Sequence, residues 1–316
     1  MPHVIGLDFG TTNSAVAMAL PDGSTVLADF EADGERTTIF RSVLYFDPEA
    51  RTRDGRSRAV AGPQAISRYL NAETRGRLMQ SLKSHLASRL FRETYMFGQK
   101  YTLEELIALI LRELRAVAEA QFGDIDSSVV VGRPVHFSGA GSEEDDAFAL
   151  SRLRRALEWV GFEKIVFEFE PVAAAYEFES QLDHDELILI ADFGGGTSDF
   201  SLMQVGPSVR RRGHTAQDIL GTAGVAIAGD TFDSKIMRQV VAPRLGQGSQ
   251  YRSAFNKLLP LPAWLYSNLE RWHYLSFLKS KNTMQMLAEL RLQALEPAKI
   301  AALIYVIEQD LGYHLY

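Results

Sequence analysis

The chain has 316 residues, 46% of them hydrophobic, and a formal net charge of −7. That length predicts about two domains with a buried core, the apolar fraction excludes a disordered chain, and the acidic balance argues against a general binder of nucleic acid or of membrane surfaces. The count of 0 cysteines excludes disulfides, thiol catalysis and thiolate metal sites. A first strand beginning at His3 leaves no room for a signal peptide and no apolar run is long enough to span a bilayer, so a cytoplasmic protein is expected.

Val4-Ile5-Gly6-Leu7 is a β-favouring run that leads into Asp8-Phe9-Gly10-Thr11-Thr12-Asn13-Ser14, and Ser14–Met18 returns as a second strand. Pro21-Asp22-Gly23-Ser24 reads as a turn between a strand ending near Leu20 and another over Thr25–Phe30. Ser42–Phe46 reads as a strand and Arg51–Arg58 as a charged loop. Helices are predicted over Pro63–Asn71 and Leu103–Phe122, the second from its apolar spacing and the capping box of Thr102 with Glu105. Ser127–Val131 reads as a buried strand ending in Gly132-Arg133-Pro134, followed by a helix over Glu143–Val160 with Ser142 as N-cap. A strand over Lys164–Glu168 and a helix over Val172–Phe178, with Pro171 in its first turn, come next. Leu187–Ala191 then leads into Asp192-Phe193-Gly194-Gly195-Gly196-Thr197-Ser198-Asp199, with a return strand over Asp199–Met203. This alternation predicts a mixed α/β sheet. From about Thr231, helical patterns broken by Pro243, by Gly246-Gln247-Gly248-Ser249 and by Pro260-Leu261-Pro262 run to the end without a strand, which predicts a separate helical subdomain. The last helix, over Ala298–Tyr316, stops on apolar and aromatic residues without a polar linker, as a fragment would.

The chain thus builds the same unit twice: strand, aspartate, glycine–threonine turn, return strand. Glycine lets such a turn reach positive φ and lets the backbone approach a ligand, and successive N–H groups form a concave nest for anions. Asp8 and Asp192 stand at the two strand ends. A lone aspartate there would do no more than bond its own turn's N–H groups. Two such turns in one α/β chain point instead to phosphate and metal, because Mg²⁺ keeps several waters and needs only one or two carboxylates beside phosphate oxygens. Thr11, Thr12 and Thr197 carry hydroxyls able to donate to phosphate, the plain alternative being β-propensity. Gly194, Gly195 and Gly196 cost conformational entropy in a hairpin, and a ligand against the backbone accounts for that cost. His3, His136, His184 and His214 lack metal-ligand spacing. Arg210-Arg211-Arg212 reads as solvated on an edge strand, and Trp264, Tyr266, Trp272 and Tyr274 as core packing of the tail. No Ser-His-Asp constellation, Walker loop or dinucleotide fingerprint stands out.

Ile5–Ser14 resembles the first phosphate loop of the seventy-kilodalton heat-shock chaperones, and Asp192–Asp199 resembles their second. Glu170-Pro171-Val172-Ala173-Ala174-Ala175 is similar to the connecting helix of that ATPase, and Ala228-Gly229-Asp230-Thr231-Phe232-Asp233 to a further glycine–acid segment. Gly132-Arg133-Pro134-Val135 and the long interval before Lys83 look more like the divergent YegD-type branch. The resemblance covers roughly residues 3–240, with its motifs in the family's order. It implies an α/β, actin-like and ribonuclease-H-like ATPase fold of two lobes with an α-helical C-terminal subdomain. The first lobe would be 1–184, with an inserted subdomain at about 40–118. The second would be 185–316, with a phosphate hairpin at 187–205 and an incomplete helical subdomain at about 231–316. ATP or ADP with Mg²⁺ is the implied ligand. By the same resemblance Asp8 and Asp192 would hold the metal, partly through water, and Gly10, Thr11, Thr12, Asn13, Gly194, Gly195, Gly196, Thr197, Gly229 and Asp230 would bind the nucleotide. Lys83, Thr197, Asp199 and Glu170 would serve hydrolysis, Lys83 by orienting the attacking water, although the family's Arg-Leu-Ile-Gly continuation is absent after Lys83. Protein clients or co-chaperones would read the nucleotide-driven closure, with no nucleic-acid or membrane partner.

Nothing before Tyr316 matches the family's adenosine-holding helix and later glycine-rich loop, so weak nucleotide affinity is expected of this chain alone. Submicromolar binding of Mg-ADP would overturn that expectation. Two other classes stay open: a sugar or small-metabolite kinase of the same superfamily, and a non-catalytic nucleotide-binding scaffold. Asn13-Ser14 after the threonines favours the chaperone branch, and the intact set Asp8, Asp192 and Asp199 speaks against lost turnover.

Overall fold

Along β1 (His3–Phe9), Ile5, Leu7 and Phe9 are buried while Val4 and Asp8 are open, the period-two pattern of a strand with one covered face. The computed structural model describes residues 3–32, 34–52, 55, 57–72, 76–270, 274, 278–309 and 311–315. The chain separates into two compact units, one up to Gly229 and one from Asp230 onward.

In the first unit β1 pairs antiparallel with β2 (Asn13–Ala19), which pairs in turn with β3 (Thr25–Leu27) and β4 (Phe40–Arg41). On its other side β1 pairs parallel with β5 (Ile125–Arg133), and β5 with β6 (Lys164–Phe169), Ile5 meeting Val129 and Val129 meeting Ile165. Two helices cover the Ile5–Leu7–Phe9 face: α1 (Leu103–Phe122) and α2 (Glu143–Trp159). The predicted capping box starts α1, with Thr102 Oγ1 accepting from the Glu105 N–H and Glu105 Oε2 accepting from the Thr102 N–H. Leu103, Leu106, Ile107, Ile110, Leu111 and Leu114 form its buried stripe, each contributing about 1.5–3 kcal/mol by burial. Between β4 and α1, the strands Leu44–Arg51, Ser57–Ala61 and Arg77–Met79 form a small antiparallel sheet beside the helix Pro63–Asn71.

The second sheet is an antiparallel meander of β7 (Glu186–Phe193), β8 (Ser198–Val205) and β9 (Ile219–Val225). Helix α3 (Glu170–Glu179) directly follows β6 and packs Val172 and Ala175 against Ile188, Ile190, Met203 and Val205. Its first residue, Glu170, is thereby placed near the ends of both sheets.

The second unit has its own core, in which Met237, Leu265, Tyr266, Leu287, Ile300 and Leu303 are buried. Among its described residues the helices Lys281–Gln293 and Pro297–Glu308 are the longest.

Several expectations need correction. The strand expected over Thr25–Phe30 ends at Leu27, where the Ala28 N–H turns to the Val16 carbonyl, and Phe30–Ala32 pairs instead with Glu35–Thr37. The strand expected over Ser42–Phe46 starts at Leu44 because Ser42 gives its N–H to Thr12, and it runs on until Arg51 faces Ser57. Arg210, Arg211 and Arg212 lie on the short helix Pro207–Arg212, not on an edge strand, and Arg212 is paired with Asp218. The tail contains a hairpin, Gln250–Arg252 with Leu258–Pro260, which its isolated prolines concealed. The last helix is two, Pro297–Glu308 and Gly312–Leu315. Tyr266 is core, whereas Trp264 is 45% exposed; Trp272 lies outside the described residues.

Candidate functional site

Both glycine turns are tied off from inside, which leaves their tips uncommitted. In the first, the Gly10 N–H donates to Ser14 Oγ at 3.2 Å, and Ser14 Oγ meets Ser42 Oγ at 2.8 Å in a buried contact. In the second, the Gly194 N–H donates to the Thr197 carbonyl and the Gly229 N–H to the Gly194 carbonyl, at 2.9 and 3.0 Å. The N–H groups of Thr11, Gly195 and Gly196 make no hydrogen bond to a described residue, and neither does the Thr11 hydroxyl. These are the free donors that an anion nest requires. Gly229, by contrast, spends its N–H on holding the second turn.

The tips meet. A Cβ on Gly196 would lie 2.8 Å from Thr11 Oγ1 and 3.4 Å from Thr11 Cγ2, so only glycine permits this approach. Thr12 and Asn13 support the first turn from the side: the Thr12 carbonyl accepts from Ser42, and Asn13 Oδ1 accepts from Arg41 at 2.9 Å. Asp230 begins the second unit, within the helix Gly229–Ile236.

Neither Asp8 nor Asp192 bonds its own turn; both carboxylates are without a hydrogen bond to any described residue. They belong to a charged group that includes Lys83, Glu170 and Asp199. Above Gly132, at the end of β5, a methyl group would lie 3.8 Å from both Asp8 Oδ1 and Glu170 Oε1, which marks how closely those two acids converge. Lys83 is buried, and its Nζ donates to Glu170 Oε1 at 2.6 Å. Crowding by protein raises the Asp8 pKa to about 6, Glu170 and Asp192 adding to the rise and Lys83 opposing it. Burial first, then the charges of Glu170 and Asp199, raises Asp192 as well.

Asp199 sits directly across the ladder from Asp192 and is 1% exposed. Its Oδ1 accepts the Val135 N–H at 2.8 Å, and the Thr197 side chain also bonds it. Burial raises its pKa against those two bonds. Val135 lies just beyond β5, so this carboxylate joins the second hairpin to the first sheet.

Lys83 is delivered by unusual backbone. Ser81, which caps the 3₁₀ turn Leu82–His85, holds φ 56, the left-handed region, at a cost of about 1–2 kcal/mol for a non-glycine residue.

One cation at the site has no role predictable from sequence motifs. Arg133 Nε and Nη2 donate to the Pro134 and Val135 carbonyls, each at 3.0 Å, and its guanidinium lies over Phe169 at 4.9 Å. The charges of Asp146, Glu170 and Asp199 act on it, while burial lowers its pKa. An arginine ending a buried strand was the available signal. The histidines take structural partners: His136 Nδ1 meets Asp146 at 2.7 Å and His214 Nε2 meets Glu179 at 2.8 Å.

Two sheets thus present, in a mixed α/β protein, N–H donors and carboxylates that make no hydrogen bond to a described residue. A protein-family model described as Hsp70 protein matches residues 4–248, and the chain belongs to the Hsp70 family. Domains of this family have the actin-like ATPase fold and bind ATP or ADP.

Proposed function

We propose that the chain is the nucleotide-binding and ATP-hydrolysing domain of an Hsp70-type chaperone, working with Mg²⁺. The observation that carries this reading is the meeting of Thr11 with Gly196 beside the uncommitted Asp8 and Asp192. The N–H groups of Thr11, Gly195 and Gly196, with the hydroxyls of Thr11 and Thr12, would take phosphate oxygens from two sides, and Thr197, whose hydroxyl donates to Asp199, would line them. Donors fixed in advance toward developing charge are what phosphoryl transfer depends on. Gly10, Asn13, Gly194 and Gly229 would hold the two turns.

Asp8 and Asp192 would hold Mg²⁺, partly through water, and the ion when bound would offset charge on the phosphates. The residues fit that ion: the Asp8 and Asp192 carboxylates make no hydrogen bond to a described residue, and Asp192 acts on Asp8 through its charge. Mg²⁺ beside phosphate needs only one or two protein carboxylates. Burial first, then neighbouring acids, raises the pKa of both carboxylates with Lys83 only partly opposing the rise, so a bound cation would offset charge there. Lys83, held by Glu170, would orient the attacking water, and Asp199 would keep Thr197 in place. Nucleotide state would appear as movement of the two lobes, read by protein clients or co-chaperones.

Steady-state phosphate release from Mg-ATP tests the reading, run with Lys83→Ala, Asp8→Asn and Thr197→Ala beside the wild type. Each substitution is expected to lower turnover by roughly 10²-fold or more, with Mg-ADP binding retained in Lys83→Ala by calorimetry. Wild-type turnover in Asp8→Asn would end the metal assignment. Phosphate passed to a small-molecule hydroxyl would make the chain a kinase, and nucleotide binding without turnover a scaffold.

A further inference from the structure

Lys83 is 6% exposed, yet the 3₁₀ turn that carries it spans only Leu82–His85, too short an element to fix a long side chain by itself. The chain that follows, from Leu86 to Phe91, has no regular secondary structure. Its carbonyls turn onto one buried guanidinium. Arg152 Nη1 donates to the carbonyls of His85, Leu86 and Ser88 at 3.5, 3.4 and 3.1 Å, and Nη2 to that of Phe91 at 3.0 Å. Glu104 at the start of α1 aims the fork, Oε1 accepting from Nε at 2.8 Å and Oε2 from Nη2 at 3.3 Å. Arg152 and Glu104 are 4% and 7% exposed.

We propose that Arg152 is a positioning residue for Lys83. Its fork, anchored on two helices through α2 and Glu104, locks residues 85–91 and so sets Lys83 Nζ against Glu170. A buried ion pair is a poor device for stability alone, since apolar residues of similar volume commonly serve as well. Here the pair does what apolar residues cannot, which is to donate to four main-chain carbonyls at once. Five N–H donors in a rigid plane make that possible, the two on Nη1 being shared among three carbonyls, and lysine cannot reproduce it. The effect on turnover rests on the hydrolytic role proposed for Lys83, whereas the positioning itself does not.

The test is acetylation of the intact protein with an amine-reactive N-hydroxysuccinimide ester, Lys83 being followed by peptide mass spectrometry against Lys164 as the exposed reference. Arg152→Lys is expected to raise Lys83 labelling at least tenfold while Lys164 is unchanged, and to lower kcat at least tenfold with KM changed less than threefold. Leu111→Ala, a core change about two turns along α1 from Glu104, is the control for general loosening. Glu104→Gln repeats the measurement if Arg152→Lys does not fold. Lys83 labelling equal to wild type in the folded variant, or raised as much in Leu111→Ala, overturns the inference. If the wild type shows no turnover, the hydrolytic reading fails while the labelling still decides the positioning.

Discussion

In the first hairpin Asp8 faces Ala15 and Phe9 faces Ser14; in the second Asp192 faces Asp199 and Phe193 faces Ser198. Both turns therefore span the same four positions from the same point of the ladder. Their surroundings are opposite. The Phe9 face of the first sheet is covered by α1 and α2, with Phe9 fully buried, whereas Phe193 is 63% exposed and α3 covers the other face, which carries Ile188 and Ile190. The first turn is closed by a serine hydroxyl, the second by main chain, which leaves Thr197 free to bond Asp199. One local pattern thus yields two different turns, one held by its own sheet and one latched to the other sheet through a buried acid.

The largest way to break this asymmetry is Asp199→Ala, which removes the acid that only the second hairpin has. Phosphate release should fall on the order of 10²-fold, and chemical denaturation should show a loss of about 1–3 kcal/mol, because the Val135 N–H is left unpartnered. Unchanged stability would mean that Asp199 does not latch the two sheets. Next comes the contact between the tips. Gly196→Ala should weaken Mg-ADP binding about tenfold, and its cycle with Thr11→Ala should show a coupling of about 0.5–3 kcal/mol. Simple additivity in calorimetry would show that the turns act separately.

A smaller effect distinguishes the acids by pH. Asp8 has a folded pKa raised from 3.8 to about 6, so the native state holds an extra proton between those values. Ionisation then weakens the native state as pH rises through this window, and the penalty is complete above about 6. Asp8→Asn should therefore be more stable than wild type near pH 7.5, by roughly 1 kcal/mol once solvent screening at this open residue is allowed for. The advantage should vanish near pH 4, and denaturation curves at both values check it. Mg²⁺ should stabilise the wild type and leave the variant unmoved. The smallest contrast is between the serines. Ser14→Ala should cost about 1 kcal/mol, having lost two buried partners. Ser198→Ala should cost only tenths, since Ile227, whose carbonyl it bonds, lies open to water.

Much of the local structure was legible because its causes are local. The helices Pro63–Asn71 and Leu103–Phe122 have the bounds expected from their start signals and apolar spacing. The two hairpins follow from alternating strands around glycine turns. Lys83 was another matter: the resemblance pointed to it, but its partner Glu170 lies 87 residues away. Arg133 could be read only as an arginine ending a buried strand, and Arg152 not at all. They bond main-chain carbonyls, a group that every residue carries and no sequence pattern distinguishes.

By itself, then, the sequence determined the two strand–turn–strand units, the helices with capping signals and the two aspartates, because period, turn chemistry and caps act within a few residues. Only the tertiary structure decided that Thr11 meets Gly196, that the Asp8 and Asp192 carboxylates make no hydrogen bond to a described residue, and that Asp199 reaches Val135. Those outcomes depend on which sheet face each helix covers, and burial decides which polar groups must find a partner and which stay free for a ligand.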